Sequence, residues 1–559
     1  MNKKNIYLLI FCLLLSVLTT LAQPSQVQDV GKSVFSLTTF KADGSILASS
    51  HGFFINENGE AVSDWTPFVN AAKAVIVDAN GQKMDVEAMI GVNELYDICK
   101  FRVNCKPEVA PLATSPATAN EKVWLVNYSV KKAKCKQYSV KSVETFMEKY
   151  NYYIFSDKIQ ENAQGCPMVN GKGQVIGILQ IAKTKDEFHA TDAAFTNTFV
   201  INGLTINTPA LRQTSIPVAL PEKEDEALLT LMMASNKGDS VLYTRYIEDF
   251  IRQFPRSAEG YMARAQNAVR SLQFDTADKD MLLAIDNAEK KDAAHSNYSR
   301  LIYEKEVYYP KAEYPNWNFQ KSLDEAKKAY EINPLPIYLH QQAQIIYTMG
   351  DYQTAYDMFM GLTKTDLRNG ELFYEAAQCK SHLQASNDEL IVLLDSAINV
   401  SEEVNTNNAA PYYLARGRIY DTTGEYRKAV ADYNKYDTLM YGRGSHEFYY
   451  LKFKCESKIR QYKQALNDIA HAIVLNQKEP TYYAEMASLQ LKVNQLEDAI
   501  TTSDMCIKID SSYSDPYIIK GIALAELKRN EEAATALKKA KELGDDRADE
   551  LLKKYKLEL

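Results

Sequence analysis

Small side chains return at a fixed interval in the second half of this chain: Ala487, Ala499 and Cys506 are followed 34 positions later by Gly521, Ala533 and Ala540. A long-period recurrence constrains a fold more tightly than local propensity, because every copy must bury the same face against its neighbours. The preceding copy carries Tyr462, Ala465 and Ala472 in the same phase. Earlier copies carry Gly417, Gly424, Tyr426, Ala429 and Tyr433, then Ala343, Gly350, Tyr352, Ala355 and Phe359, then Ala265, Phe274, Ala277 and Ala284. About seven or eight copies fit the length, and the phase is visible in six of them. Residues 292–335 and 370–409 carry insertions and fit the interval poorly. Within each copy the apolar period is helical, so this half reads as a series of helical hairpins.

The spacing resembles the tetratricopeptide repeat, a helix-turn-helix unit, over residues 224–547. The resemblance implies a superhelix with a concave face lined by the first helix of each unit. It places His340, Gln344, Tyr347, Arg418, Tyr450 and Lys454 on that face as peptide-binding residues. The alternative for these six is a solvated helix face with no ligand.

The start of the chain has a different character. Lys3 and Lys4 precede an apolar run from Ile6 to Leu18, and Thr20-Leu21-Ala22 supplies small residues before Gln23. This pattern is that of a secretory leader over residues 1–22. The run is too short for the roughly 20 apolar residues that cross a bilayer. Cys12 lies after Phe11, where a lipoprotein signal would carry a small residue. No later stretch is apolar enough to span a membrane, so the expectation is an exported protein, periplasmic or at the cell surface or secreted. A formal charge of −8, from 64 basic and 72 acidic residues, argues against a protein that binds by neutralising nucleic-acid phosphates. Seven cysteines follow the leader with no CxxC pair and no zinc-type spacing. They read as small buried side chains, with a Cys135–Cys166 disulfide as the alternative.

From Gly31 to Ile201 short alternating runs are separated by turn residues, with SVFSLTTF, HGFFI, KAVIVD, VWLVNY and QVIGILQI the clearest strands. Turns are expected at Asp43-Gly44, Asn58-Gly59, Asn80-Gly81 and Asn170-Gly171. The proline-bearing stretch 206–223 has no sustained period and reads as a linker. The expected order is therefore a leader (1–22), a β domain (31–205), a linker (206–223), a helical array (224–547) and a C-terminal tail (548–559). The charged tracts Pro221–Glu226 and Lys538–Glu550 read as solvated linker and helix faces.

Three stretches of the β half, in order, resemble the trypsin-like serine proteases of the HtrA (DegP) kind: HGFFINENGEAVSDWTPF, IGVNELYDICKFRV and NAQGCPMVNGKGQVIGI. The resemblance implies an all-β double barrel over residues 31–205. It puts the general base at Thr66, the orienting acid at Asp97 and the nucleophile at Gln164. Acyl transfer of this kind needs a hydroxyl activated by an imidazole that a carboxylate holds in place. A threonine hydroxyl does not titrate near neutral pH and an amide is no nucleophile, so the inherited triad is degenerate. Asn162 and Cys166 stand where the family has glycine, which makes the oxyanion-loop conformations less accessible. Cys166 is the candidate for a rescued nucleophile, with His51 or His189 as its base, although it lies two positions past the family's nucleophile. Trp65 is placed to fill the old cleft.

The fold class expected is thus multidomain, a trypsin-like double barrel followed by a tetratricopeptide superhelix. The leading functional expectation is an exported, non-catalytic protein that binds a peptide or partner protein. The alternatives are a divergent peptidase using Cys166 and a structural scaffold subunit of an envelope assembly. No phosphate loop, HExxH motif or Cys/His cluster calls for a cofactor or metal. Oligomeric state is left open.

Overall fold

The computed structural model describes residues 24–557 apart from 158, 160, 161, 181–186 and 404–406. The leader read at residues 1–22 and the last two residues of the tail lie outside the described residues. The chain divides into two compact units, Met1–Glu289 and Lys290–Leu559.

In the first unit a short helix, Ser25–Val30, leads into thirteen described strands. Strands β1 (Val34–Phe40), β2 (Ile46–Phe54), β3 (Glu60–Ser63), β4 (Lys73–Val77), β5 (Lys83–Asn93) and β6 (Ile98–Val103) close a barrel in the order β1-β2-β3-β6-β5-β4. Closure leaves no edge for strand pairing. Inward-facing Phe35, Phe54, Phe68 and Phe101 fill it, with Phe35 and Phe54 ring centres 4.9 Å apart.

Strands β7 (Lys122–Asn127), β8 (Lys134–Ser139), β9 (Ser142–Phe146), β10 (Tyr150–Phe155), β11 (Pro167–Val169), β12 (Val175–Gln180) and β13 (Phe188–Asp192) form a second, seven-stranded sheet. Its order is β8-β7-β11-β12-β13-β10-β9, so β8 and β9 are its ends. A separate apolar cluster around Phe155, Met168, Ile178 and Phe188 underlies it. All five strands and all four turns expected from sequence fall between or on these elements. The left-handed residue of the last turn is Gly173 rather than Gly171.

The stretch 206–223 is not free chain. Leu211, Ile216 and Val218 join the barrel's apolar cluster. Met89 donates its amide to Pro217 O and Ala219 donates to Met89 O, both at 2.8 Å, so the stretch lies along β5 as a short parallel neighbour. Its prolines obscured the alternation of apolar residues that this pairing uses. Helices Glu224–Ser235, Ser240–Gln253, Ala258–Arg270 and Phe274–Asn287 complete the unit.

The second unit is built from antiparallel helix pairs. Lys291–Tyr308 packs on Phe319–Ile332, Pro336–Thr348 on Tyr352–Leu362, Gly370–His382 on Asn387–Glu403, and Ala410–Thr422 on Tyr426–Leu439. Then come His446–Lys458 with Tyr462–Leu475, Pro480–Lys492 with Leu496–Ile509, and Asp515–Glu526 with Asn530–Glu542. Ala343, Gly417 and Ala487, each the eighth residue of its first helix, permit this approach. A Cβ on Gly417 would lie 2.7 Å from the Tyr433 ring.

The two poorly fitting stretches are elongated helices. Lys291–Tyr308 has 18 residues and Asn387–Glu403 has 17, against 13 in Ala410–Thr422. Much of the segment read as a tail is a helix, Arg547–Lys554, which buries Ala548 and Leu552 against the last pair.

An ionic latch recurs between the two helices of a pair, sixteen positions apart. Arg416 grips Asp432 through two bonds of 2.8 and 2.7 Å, and Lys452 reaches Asp468 at 3.2 Å. The first unit repeats it, with Arg264 bound to Asp280 through two bonds of 2.8 Å.

Candidate functional site

The geometry around the inherited triad positions is well defined. Thr66 opens a 3-10 turn, Thr66–Phe68, just after β3, and Asp97 precedes β6 with a left-handed backbone (φ 45°). Asp97 Oδ1 accepts from Thr66 Oγ1 at 2.8 Å, from the Thr66 amide at 2.7 Å and from the Trp65 amide at 3.0 Å. The positions of base and acid are therefore together, joined by a hydroxyl–carboxylate bond where the family has an imidazole. Trp65 is buried and stacks on Phe68, inside the barrel's apolar cluster.

Gln164 does not join them. Its Nε2 donates 2.7 Å to Asp64 Oδ2. Asp64 is fully buried and also accepts from Ser50 Oγ and, at 3.0 Å, from Ser63 Oγ. Burial pushes its carboxyl up to about 6, against the bonds from Ser50 and Ser63 that hold it down. The Gln164 carbonyl accepts from Ser50 Oγ at 3.2 Å and lies 3.2 Å from His51 Nδ1. The loop bearing the nucleophile position is thus tied to β2 and β3 by a buried carboxylate that sequence reading did not single out. The one signal for it is an aspartate directly after Ser63, the last residue of β3.

Gly165 permits this closeness. With φ 78°, it puts its Cα so near β2 that an added Cβ would lie 2.1 Å from His51 O. Asn162 does reach the left-handed region, at φ 85°, in place of the family's glycine. The amides of Gly165 and Cys166 are engaged by Leu179 O and Ala163 O, each at 3.1 Å.

The Cys166 side chain is completely buried in the second β cluster, and burial pushes its thiol up to about 12. Thiolate chemistry depends on a lowered, accessible thiol, the opposite environment. His51 contacts the Gln164 carbonyl, and His189 stacks on the Tyr152 ring at 5.1 Å. Cys135 and Cys166 each carry a thiol, so the alternative disulfide is not formed.

In the second unit, a cavity of about 330 Å³ lies between helices Lys291–Tyr308 and Pro336–Thr348. Ser296, Arg300, Tyr303, His340, Gln341 and Gln344 line it, with Ile337 and Ile345 as apolar walls. His340 and Gln344 were expected from sequence. Glu375 fixes both, accepting from His340 Nε2 at 2.6 Å and from Gln344 Nε2 at 2.8 Å. The carboxylate holds the imidazole's pKa above its ordinary value despite burial, which opposes that shift. Ser296, Arg300 and Tyr303 were missed because the added helical turn broke the repeat's phase there.

The other expected groove residues lie further along. Tyr347 OH bonds His382 Nε2 at 3.0 Å, and Arg418 is exposed on Ala410–Thr422. Tyr450 packs 4.9 Å from the Tyr482 ring and carries Lys454 over its face at 5.0 Å. Among the described residues no cluster of three or more His, Cys, Asp or Glu side chains is fit to hold a metal, and no helix is long and apolar enough to cross a membrane.

The fold is that of a protease-type β region followed by tetratricopeptide-type helix pairs. No protein-family model matches the chain. Over 201 residues it is 24% identical to the TPR repeat-containing protein MJ1428 of Methanocaldococcus jannaschii, covering 35% of this chain and 34% of that protein. The chain thus spans about a third of the length of the curated relative it matches.

Among solved structures it is similar to the serine endoprotease from Yersinia pestis (14% identity, TM-score 0.28, 34% of this chain and 67% of that one). It is also similar to the Rv3671c protease from M. tuberculosis in its active form (12%, TM-score 0.28, 34% and 84%). A third is YrrB, a TPR protein with an unusual peptide-binding site (19%, TM-score 0.31, 36% and 98%).

Proposed function

We propose that this chain is an exported protein-binding protein whose helical groove holds an extended peptide segment, and whose β region does not cut it. The observation that carries the reading is the cavity between Lys291–Tyr308 and Pro336–Thr348, where a guanidinium, two amides and hydroxyls converge between isoleucine walls. Such a mixture of apolar walls and a few fixed polar groups is what peptide pockets use. Prior fixation of His340 and Gln344 by Glu375 reduces the ordering cost of binding.

The non-catalytic part rests on the triad positions. Thr66 and Gln164 supply no group that titrates near neutrality, and Cys166 is sealed in the core with a raised thiol. Export rests on the leader-like first 22 residues.

A photo-crosslinking amino acid placed at Arg300 in the full chain tests the binding reading, with a second placed at exposed Lys327 on the partner helix as control. Proteins captured from an envelope extract at 300 and not at 327 support it, and the same set from both refutes it. Casein hydrolysis abolished by Cys166→Ala would overturn the non-catalytic part in favour of the divergent peptidase.

A further inference from the structure

The first unit contains a second, larger cavity of about 740 Å³, walled by the stretch 206–218 and by helices Glu224–Ser235 and Ser240–Gln253. Its lining is apolar along Leu211, Ile216, Val218, Met233, Val241 and Leu242. Val241 is 81% exposed.

Three cations border this apolar floor: Arg212, Lys237 and Arg245. The acid among the lining residues, Asp239, caps helix Ser240–Gln253 by accepting from the Leu242 amide at 2.9 Å. Arg245 is directed to the Glu87 carbonyl at 2.7 Å and to Asp249 at 3.8 Å. Arg212 and Lys237 are differently placed. The Arg212 guanidinium lies 3.4 Å from the Asn207 amide oxygen, and Lys237 Nζ donates 2.9 Å to the Ile206 carbonyl. Both partners are neutral. The two cations sense one another: partial burial, and then the Arg212 charge, hold the Lys237 ammonium below its ordinary pKa. An acidic protein that keeps two such charges together at the mouth of an apolar cleft has a site complementary to an anion with an apolar body.

A further cavity of about 510 Å³ continues the cleft and shares Ser215, Ile216, Pro217 and Arg245 with it. In this second lobe the charges are already matched, as in the Lys73–Asp85 pair at 2.9 Å. The ligand is therefore elongated and charged at one end. Asn207, Ser215 and Asn236 along the first lobe carry amide and hydroxyl groups that a peptide backbone uses and a hydrocarbon chain does not.

We propose that this cleft binds the carboxyl-terminal end of a polypeptide, with the α-carboxylate between Arg212 and Lys237, apolar terminal side chains on the Leu211–Val241 floor, and the preceding residues crossing Ser215–Pro217. This site is separate from the helical groove, and either can fail without the other.

The test uses the full-length protein and a fluorescein-labelled hexapeptide ending in Leu-Val with a free carboxylate, beside the same peptide amidated and dodecanoate as competitor. Fluorescence anisotropy should show binding of the free-carboxylate peptide that weakens at least tenfold on amidation and at least tenfold in the Arg212→Glu/Lys237→Glu variant. Both residues are exposed, and circular dichroism of the variant should match the parent. Loss of binding in Arg300→Ala/His340→Ala with binding kept in the charge-reversal variant would place the peptide in the groove instead and overturn the proposal. Equal affinity for the amidated peptide, an unaffected charge-reversal variant, no peptide binding above background, or complete displacement of the peptide by equimolar dodecanoate would each overturn the proposal.

Discussion

Asp64→Asn is the substitution that most directly interrogates the buried carboxyl bonded to Gln164. In the fold the Asp64 carboxyl is fully buried and raised to about 6, against a reference of 3.8. The protonated form is thus favoured in the native state, and the native state binds more protons than the unfolded chain between these values. Stability from this group is complete below pH 3.8, declines as the pH rises to about 6, and is constant above. A separation of about two pKa units at 1.36 kcal/mol each amounts to about 3 kcal/mol. Asparagine keeps the shape and cannot titrate, so the difference in stability between parent and variant should change by about 3 kcal/mol between pH 3.8 and 7, in the variant's favour as pH rises. The Gln164 amide accommodates the change by rotating to present its oxygen. Urea unfolding followed by tryptophan fluorescence measures this in a Trp317→Phe background, which confines the signal to Trp65 and Trp124 of the first unit. Ser50→Ala, which removes a donor to the carboxylate, should move the descending part of the profile to higher pH. Parallel pH profiles for parent and Asp64→Asn would refute the assignment of a buried, proton-binding carboxyl.

Other perturbations follow from the same geometry. Arg416→Ala leaves Asp432, 5% exposed, without its two guanidinium bonds and should destabilise the second unit by about 2 kcal/mol, while Arg416→Met/Asp432→Leu recovers most of the loss in urea melts. Glu456 is raised to about 8 by burial and by its hydrogen bond with Asp468, so the helical unit should lose stability as pH rises from about 4.5 to about 8 and level off above, and Glu456→Gln should flatten that dependence in circular-dichroism melts. Iodoacetamide under native conditions should modify the half-buried Cys105 and Cys135 and spare the buried Cys99, Cys166, Cys379, Cys455 and Cys506, as mass spectrometry of the digest will show; rapid native alkylation of Cys166 would contradict its placement.

The repeat was legible because its signal is steric. Gly417 and Gly521 have no room for a Cβ beside Tyr433 and Leu537, so a small residue is required at those positions whatever the surface does. The phase failed only where a helix gained a turn, in Lys291–Tyr308 and Asn387–Glu403. That failure hid Ser296, Arg300 and Tyr303 in the groove cavity's polar lining. The stretch 206–223 was misjudged for a related reason. Its prolines remove amides from any ladder, yet pairing with β5 uses the Pro217 carbonyl and the Ala219 amide on either side of Val218, which no proline disturbs.

The triad region shows what spacing can and cannot carry. Motif order located the backbone: Thr66 and Asp97 meet at 2.8 Å, as a base and its orienting acid would. It could not state where a substituted side chain would turn. A serine at 164 would end at its hydroxyl, whereas the longer glutamine reaches Asp64, and the partner that matters is a residue with no role in the family's motif. Once Asp64 takes donors from Ser50, Ser63 and Gln164, the buried carboxylate and the loop depend on one another, because removing a donor leaves the acceptor's desolvation uncompensated. The amide at 164 is consequently a structural tie in its own right. Serine at 164 would cut the loop's bond to Asp64, so Gln164→Ser should lower the stability of the first unit.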